Sequence, residues 1–160
     1  MAALPQLIEE DIDHLNGVLS DLLTRGEARG ALLIDKSGFL ITQCGNLHQF
    51  DTTTLAALAA AAYAATQTIA GLIQEANFCC VYQQGESLSV LIQNVDENCL
   101  LLVIFQSSAS VGAVKYFAAP AILQVAELLQ IAHRRDPSAG LDLSMLNVAD
   151  TSTLFRKKVA

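Results

Sequence analysis

The side chains of this sequence that could move a proton or hold a metal are four cysteines, three histidines and an acidic run near the N-terminus. Cys44, Cys79, Cys80 and Cys99 include no C-x-x-C pair. Neither a zinc site nor a thioredoxin-like redox pair therefore has its usual spacing. Cys79 and Cys80 are adjacent, and on a strand they would point to opposite faces. They read as small buried thiols, which suits a reducing cytoplasm. His14, His48 and His133 fall on separate segments and read as surface or capping residues. Glu9, Glu10, Asp11 and Asp13 share one helical stretch but fan round its axis, as a solvated face does. No Gly-x-Ser-x-Gly or Walker sequence occurs, and Gly85-Glu86-Ser87 reads as a turn, not a nucleophile elbow. No catalytic residue, cofactor site or metal ligand is expected.

One further chemistry needs only an arginine. Inserted into a partner's nucleotide site, a guanidinium can stabilise the charge that develops during phosphoryl transfer. The nine Lys and Arg residues lie within 25–36, at Lys115, or from Arg134 onward, and none occurs from Ser37 to Val114. Arg25, Arg29 and the arginines toward the C-terminus, Arg134, Arg135 and Arg156, are the candidates, and they read as ordinary exposed residues at element ends. With a net charge of −7 and no basic stripe, phosphate backbones and anionic membranes are poor partners.

The elements that carry these residues follow from periodicity. Residues 7–25 place Leu7, Ile8, Ile12, Leu15, Val18, Leu19, Leu22 and Leu23 on one helical stripe. Ala31–Ile34 and Phe39–Cys44 are short apolar runs joined by Asp35-Lys36-Ser37-Gly38, a β-hairpin that ends at Gly45-Asn46. Asp51 or one of Thr52–Thr54 caps a long alanine-rich helix running to Glu75, and Asn77 and Phe78 mark its exit. Three strands follow, at Cys79–Gln83, Leu88–Gln93 and Cys99–Phe105. The last of them, CLLLVIF, is apolar throughout and should be central. A final helix spans Ser110–Arg134, with a kink or restart expected at Pro120. The sum is an α+β layer in which a five-stranded antiparallel sheet carries helices packed on it.

Composition adds a constraint. Hydrophobic residues make up 52% of the chain, charged residues only 16%, and mean hydropathy is +0.41. Either a membrane segment is present or apolar surface is buried between subunits. Thr54–Ile73 is long enough to span a bilayer. Its alanines contribute little transfer energy, however, and Thr66, Gln67 and Thr68 interrupt it without basic flanks. A soluble helix buried on most sides is the expectation. Nothing near Met1–Pro5 reads as a signal peptide.

The order α-β-β-α-β-β-β-α resembles the roadblock / dynein-light-chain fold, and within that family it is most similar to the MglB type. The matching pieces are ALLIDKSGFLI at the first hairpin, DTTTLAAL opening the central helix and AATQTIAGLIQEANF closing it. LLLVIF in the last strand and SVGAVK at the start of the third helix also match. On this resemblance residues 7–135 form the roadblock domain. Residues 136–160 form a C-terminal tail that is partly ordered or partner-binding.

The resemblance implies a cytoplasmic homodimer without its own catalytic site. Its protomers would pair through the central helix and the neighbouring strand, at Tyr63, Ile69, Phe78, Cys80 and Tyr82. It further implies a small Ras-like GTPase of the MglA type as partner, in bacterial cell polarity and motility. Ala57, Ala61, Ala64 and Thr68 would make the contact, and Leu154 and Phe155 of the tail would add an apolar anchor. A non-activating scaffold or a sensory module of the same fold is the alternative. Against the sensory module stands the absence from the sequence of polar groups converging from several strands.

Overall fold

The computed structural model describes residues 5–135. Eight elements run in the expected order: α1 (Glu9–Gly26), β1 (Gly30–Asp35), β2 (Leu40–Gly45), α2 (Thr52–Leu72), β3 (Cys80–Gln84), β4 (Leu88–Asn94), β5 (Cys99–Gln106) and α3 (Val111–Arg134). The strands form one antiparallel sheet in the order β2-β1-β5-β4-β3. β5 is central, and its residues from Cys99 to Phe105 are all buried, as an apolar run covered on both faces must be.

Strand alternation divides the interior into two layers. Ala31, Leu33, Leu101, Val103 and Phe105 face α1 and α3, where Leu15, Leu19, Val114, Ala118 and Val125 meet them. Leu32, Ile34, Leu100, Leu102 and Ile104 face the other way, against Ala56, Ala59, Ala60 and Tyr63 of α2. Two helices thus cover one face of the sheet and a single helix covers the other.

The first hairpin turns through Gly38 at φ 103°. Its Cα sits where an added Cβ would lie 3.2 Å from the Ala57 Cα, so the hairpin tip rests directly on α2. The Asp35 carboxylate accepts from the Ser37 N–H and hydroxyl. In the β4–β5 turn, Asp96 Oδ1 accepts from the N–H groups of Asn98 and Cys99, both at 2.8 Å. Lys36 Nζ donates to the Asp96 carbonyl at 2.7 Å, tying the two turns together.

Three local expectations are corrected. Of the kink or restart expected at Pro120, the restart does not occur. The final helix is one continuous element from Val111 to Arg134, with Pro120 on its exposed side, where water can satisfy the carbonyl that the missing N–H leaves free. α2 stops at Leu72 rather than Glu75. Gln74 adopts φ 62° and the Glu75 N–H returns to the Ala70 carbonyl at 2.9 Å, a left-handed stop of the Schellman kind. A side chain in that conformation is strained by about 1 kcal/mol or more. Gln74→Gly should therefore raise stability by about 0.5–1 kcal/mol, read as a shift of the urea midpoint at unchanged slope. Finally, the thiols are not uniformly buried. Cys99 is buried, Cys44 and Cys80 are half-buried, and Cys79, which precedes β3, is exposed. Burial pushes the Cys99 thiol up to about 12, which leaves it protonated and inert.

The two ends of the described chain are joined by a bond between residues 124 positions apart. Arg135 reaches Asp11 with Nη1 to Oδ2 at 2.7 Å and Nη2 to Oδ1 at 2.9 Å. Asp11 is only 5% exposed and also accepts from the Ile8 N–H at 2.9 Å, so it begins α1 as well as closing the domain. The guanidinium beside it is the largest cause holding its carboxyl below the ordinary 3.8. A carboxylate depressed in the folded state contributes stability above its unfolded value, and that stability disappears as pH falls through the folded one. In Asp11→Asn the loss of stability between about pH 5 and pH 3 should be shallower than in the unchanged chain. Denaturant unfolding across that range checks it, and equal slopes would refute it.

Candidate functional site

The surface of interest is the outward face of α2 together with the free edge of β3. From Thr52 to Leu72 the helix carries no charged residue. Asp51 starts it, with its carboxylate accepting from the Thr54 N–H at 3.1 Å and from the Thr54 hydroxyl at 2.6 Å. Ala56, Ala59, Ala60, Tyr63 and Ala70 turn inward and are buried. Ala57, Ala61, Ala64 and Thr68, singled out at spacings of four, three and four, all lie on the exposed side. Thr68 Oγ1 donates to the Ala64 carbonyl at 3.3 Å, so its hydroxyl is already partnered within the helix.

Beside that stripe the helix exposes larger apolar groups. Leu58 is 63% exposed, Ile69 49% and Leu72 80%, and Ile73 just beyond the helix is 63% exposed. Their exposure on one uncharged helix face is unusual for surface meant only for water. Next to the C-terminal half of α2 runs β3, with the sequence CVYQQ, hydrogen-bonded to β4 alone. Its outer edge has none of the lysines, prolines or bulges that keep open edges from pairing.

The five residues expected at a subunit interface divide. Ile69 is exposed and Tyr82 is 37% exposed. Phe78 and Cys80 are half-buried, Cys80 packing against the α1/α3 layer. Tyr63 turns into its own protomer at 7% exposure, and its hydroxyl donates to the Phe78 carbonyl at 3.3 Å. Gln67 Nε2 donates to the same carbonyl at 3.0 Å. Together they fix the loop that delivers the chain to β3. The Tyr82 ring stacks on Phe105 at 6.2 Å between centroids. Leu154 and Phe155 lie outside the described residues.

Polar groups do converge at one place, though from turns, a helix and a single strand rather than from several strands. A cavity of about 490 Å³ at the C-terminal end of α2 is lined by Lys36, Gln67, Asn94, Asp96 and Glu97 among others. Three of these have structural work already: Lys36 holds the Asp96 carbonyl, Gln67 the Phe78 carbonyl, and the Asp96 carboxylate the N–H groups of Asn98 and Cys99. A larger concavity, about 580 Å³, lies between α1 and α3, on the opposite side of the sheet from α2, and takes no part in this surface. Among the described residues no cluster of three or more His, Cys, Asp and Glu side chains could hold a metal ion.

The arginines are held elsewhere. Arg25 pairs with Asp21 on α1 at 3.0 Å. Arg29 bonds Gln49 at 3.0 Å and lies over the Phe50 ring at 5.0 Å. By length and composition alone, α2 and α3 could each cross a membrane. Both instead pack one face on the sheet.

Comparison with known proteins places this geometry. The family model described as Roadblock/LC7 domain matches residues 15–105. A solved structure titled "MglB with tetrameric arrangement" is 31% identical, covers 82% of this chain and 99% of its own, and superposes with a TM-score of 0.76. The gliding protein MglB of Thermus thermophilus is 30% identical over 82% of this chain and 99% of its own, TM-score 0.74. Myxococcus xanthus MglB is 29% identical over 81% and 97%, TM-score 0.75. No curated protein matches the sequence.

Proposed function

We propose, from the premise that this chain belongs to the Roadblock/LC7 domain family, that it is a homodimeric regulator of a small Ras-like GTPase of the MglA type. It would act in the cytoplasm, in bacterial cell polarity or gliding motility, and have no catalytic site of its own. The observation that carries the reading is the exposed, uncharged face of α2 beside the open edge of β3. Likeness to MglB proteins along most of the chain supports it.

Two copies would join edge to edge at β3, which removes the unpaired strand, and would bring the Ile69–Ile73 ends of their α2 helices together. Ala57, Ala61, Ala64 and Thr68 then remain as a continuous floor of small side chains. Such a floor lets the backbone of another protein approach closely. Because α2 carries no arginine, and Arg25 and Arg29 are already engaged with Asp21 and with Gln49 and Phe50, any acceleration of hydrolysis would come from ordering the GTPase's own switch and catalytic residues.

Single-turnover GTP hydrolysis by a co-purified MglA-type GTPase, with and without this protein, tests the reading together with a light-scattering mass. The expected result is at least about tenfold faster turnover, a modest fraction of what arginine-supplying activators achieve, in a complex containing a dimer. Binding without acceleration would leave the scaffold reading in its place. No binding would overturn both.

A further inference from the structure

On the side of the sheet opposite α2, α1 and α3 lie together and leave a groove along their outer seam. One half, of about 580 Å³, is walled by Tyr116, Phe117, Pro120 and Leu123 of α3 and by Val18 of α1. The other half, of about 310 Å³, is walled by His14, Leu128 and Ile131. Val18 and Gln124 line both halves, so the groove is continuous. Its α3 wall is apolar yet open to water, with Tyr116 74%, Leu123 67% and Ile131 59% exposed. Intervals of seven and eight keep these three on one helix face. Of the charges on its rim, Asp21 and Arg25 pair with each other at 3.0 Å, which leaves Glu127 in the smaller half.

The chain carries a segment that fits this groove. α3 ends at Arg134, and Arg135 is clamped to Asp11, less than one turn of α1 before His14. The backbone therefore leaves the domain at the Ile131 end of the groove. Residues 136–160 follow, and they begin with Asp136-Pro137-Ser138-Ala139-Gly140, turn chemistry that allows a reversal of direction. Leu141, Leu143, Met145, Leu146, Val148, Leu154 and Phe155 come next. Along α3, the run from Tyr116 to Ile131 is about 22 Å at 1.5 Å per residue, a distance that the fifteen residues 141–155 are long enough to cover.

We propose that the α1/α3 groove is the docking site for residues 141–155 of the same protomer. A second copy is the less suitable occupant, because the surfaces that would pair two copies, the α2 face and the β3 edge, leave the groove uncovered. The inference is independent of the GTPase reading. It means that any partner that takes hold of the tail does so in competition with the groove.

Limited thermolysin digestion of the full chain tests it, since cleavage of a docked segment follows the fraction of time it is released. Cleavage within 141–155 should be slow in the unchanged protein and about tenfold faster in Leu123→Asp with Ile131→Asp, while the body resists digestion in both. Both replaced residues are exposed, so the domain should fold normally, which circular dichroism verifies. As a second readout, the methyl resonances of Leu123 and Ile131 should shift in the tail variant Met145→Asp with Leu146→Asp. Equal cleavage rates with unmoved methyls would overturn the proposal. Protection that strengthens with protein concentration would also overturn it, by placing the tail in another copy's groove.

Discussion

Ala64→Arg combined with Thr68→Arg is expected to abolish productive contact with an MglA-type GTPase, weakening binding by at least about a hundredfold, or about 2.7 kcal/mol. Both positions are on the exposed side of α2, so the folded protomer has room for the longer side chains. The penalty arises on association. A surface of alanine and threonine side chains meets a partner by close backbone approach, and two guanidinium groups would have to be displaced or desolvated there without a carboxylate from α2 to receive them. The light-scattering mass of the variant separates the two ways this could act. A variant that stays dimeric but no longer binds or stimulates the GTPase supports the contact. A variant that falls to monomer assigns the stripe to the subunit interface instead, and unchanged stimulation refutes both assignments.

That ambiguity has a physical origin in the helix itself. All eight elements were legible in the sequence because their apolar periods are distinct. The stripe Leu15, Leu19, Leu22 could only be helix, and CLLLVIF could only be a strand covered on both sides. α2 offers no such contrast. Its alanines are apolar all round, so periodicity could state that a helix forms but not which side faces the sheet. Tyr63, expected at a subunit interface, is the anchor of the buried side, while Leu58 and Leu72, which the sequence reading passed over, are among its most exposed residues. The end of α2 was misplaced for a related reason. Its left-handed stop falls on Gln74, whereas the nearby Gly71 lies inside the helix, so the usual signal pointed to no position. The Asp11–Arg135 clamp was invisible because no local pattern relates residues 124 positions apart. The polar cavity beside α2 likewise draws its walls from two turns, a helix, the loop before β3, and β4. The spacing of Ala57, Ala61, Ala64 and Thr68 does fix them to one helix face, whichever way that face points.

Gly45→Ala is expected to cost about 3–5 kcal/mol of stability, the joint effect of left-handed strain and overpacking. The sequence marked Gly45 only as the end of a hairpin, but three constraints meet there. Its φ is 104°, a conformation L side chains rarely adopt. An added Cβ would lie 2.5 Å from the Arg29 carbonyl oxygen and 2.8 Å from the Gly30 Cα. Those neighbours are backbone atoms of the facing strand, so no rotamer change relieves the overlap. Gly30, its partner in register, cannot yield either. The space its own Cβ would occupy is filled by Leu47, whose Cδ2 would be 2.2 Å away, and Leu47 is 4% exposed in the α2-side core. The two glycines thus let β1 and β2 close while Leu47 seals the layer beneath α2. Against a domain stability of about 5–15 kcal/mol, the loss is large enough to move the denaturant midpoint far to the left. Gly17→Ala is the control, since nothing lies within 4 Å of its added Cβ and an alanine inside α1 should stabilise by about 0.5–1 kcal/mol. Measured at one fixed protein concentration, so that any dimer contributes equally, the two variants should move in opposite directions. A Gly45→Ala protein as stable as the unchanged chain would show that β1 and β2 separate at this end, leaving Leu47 without the wall that this packing gives it.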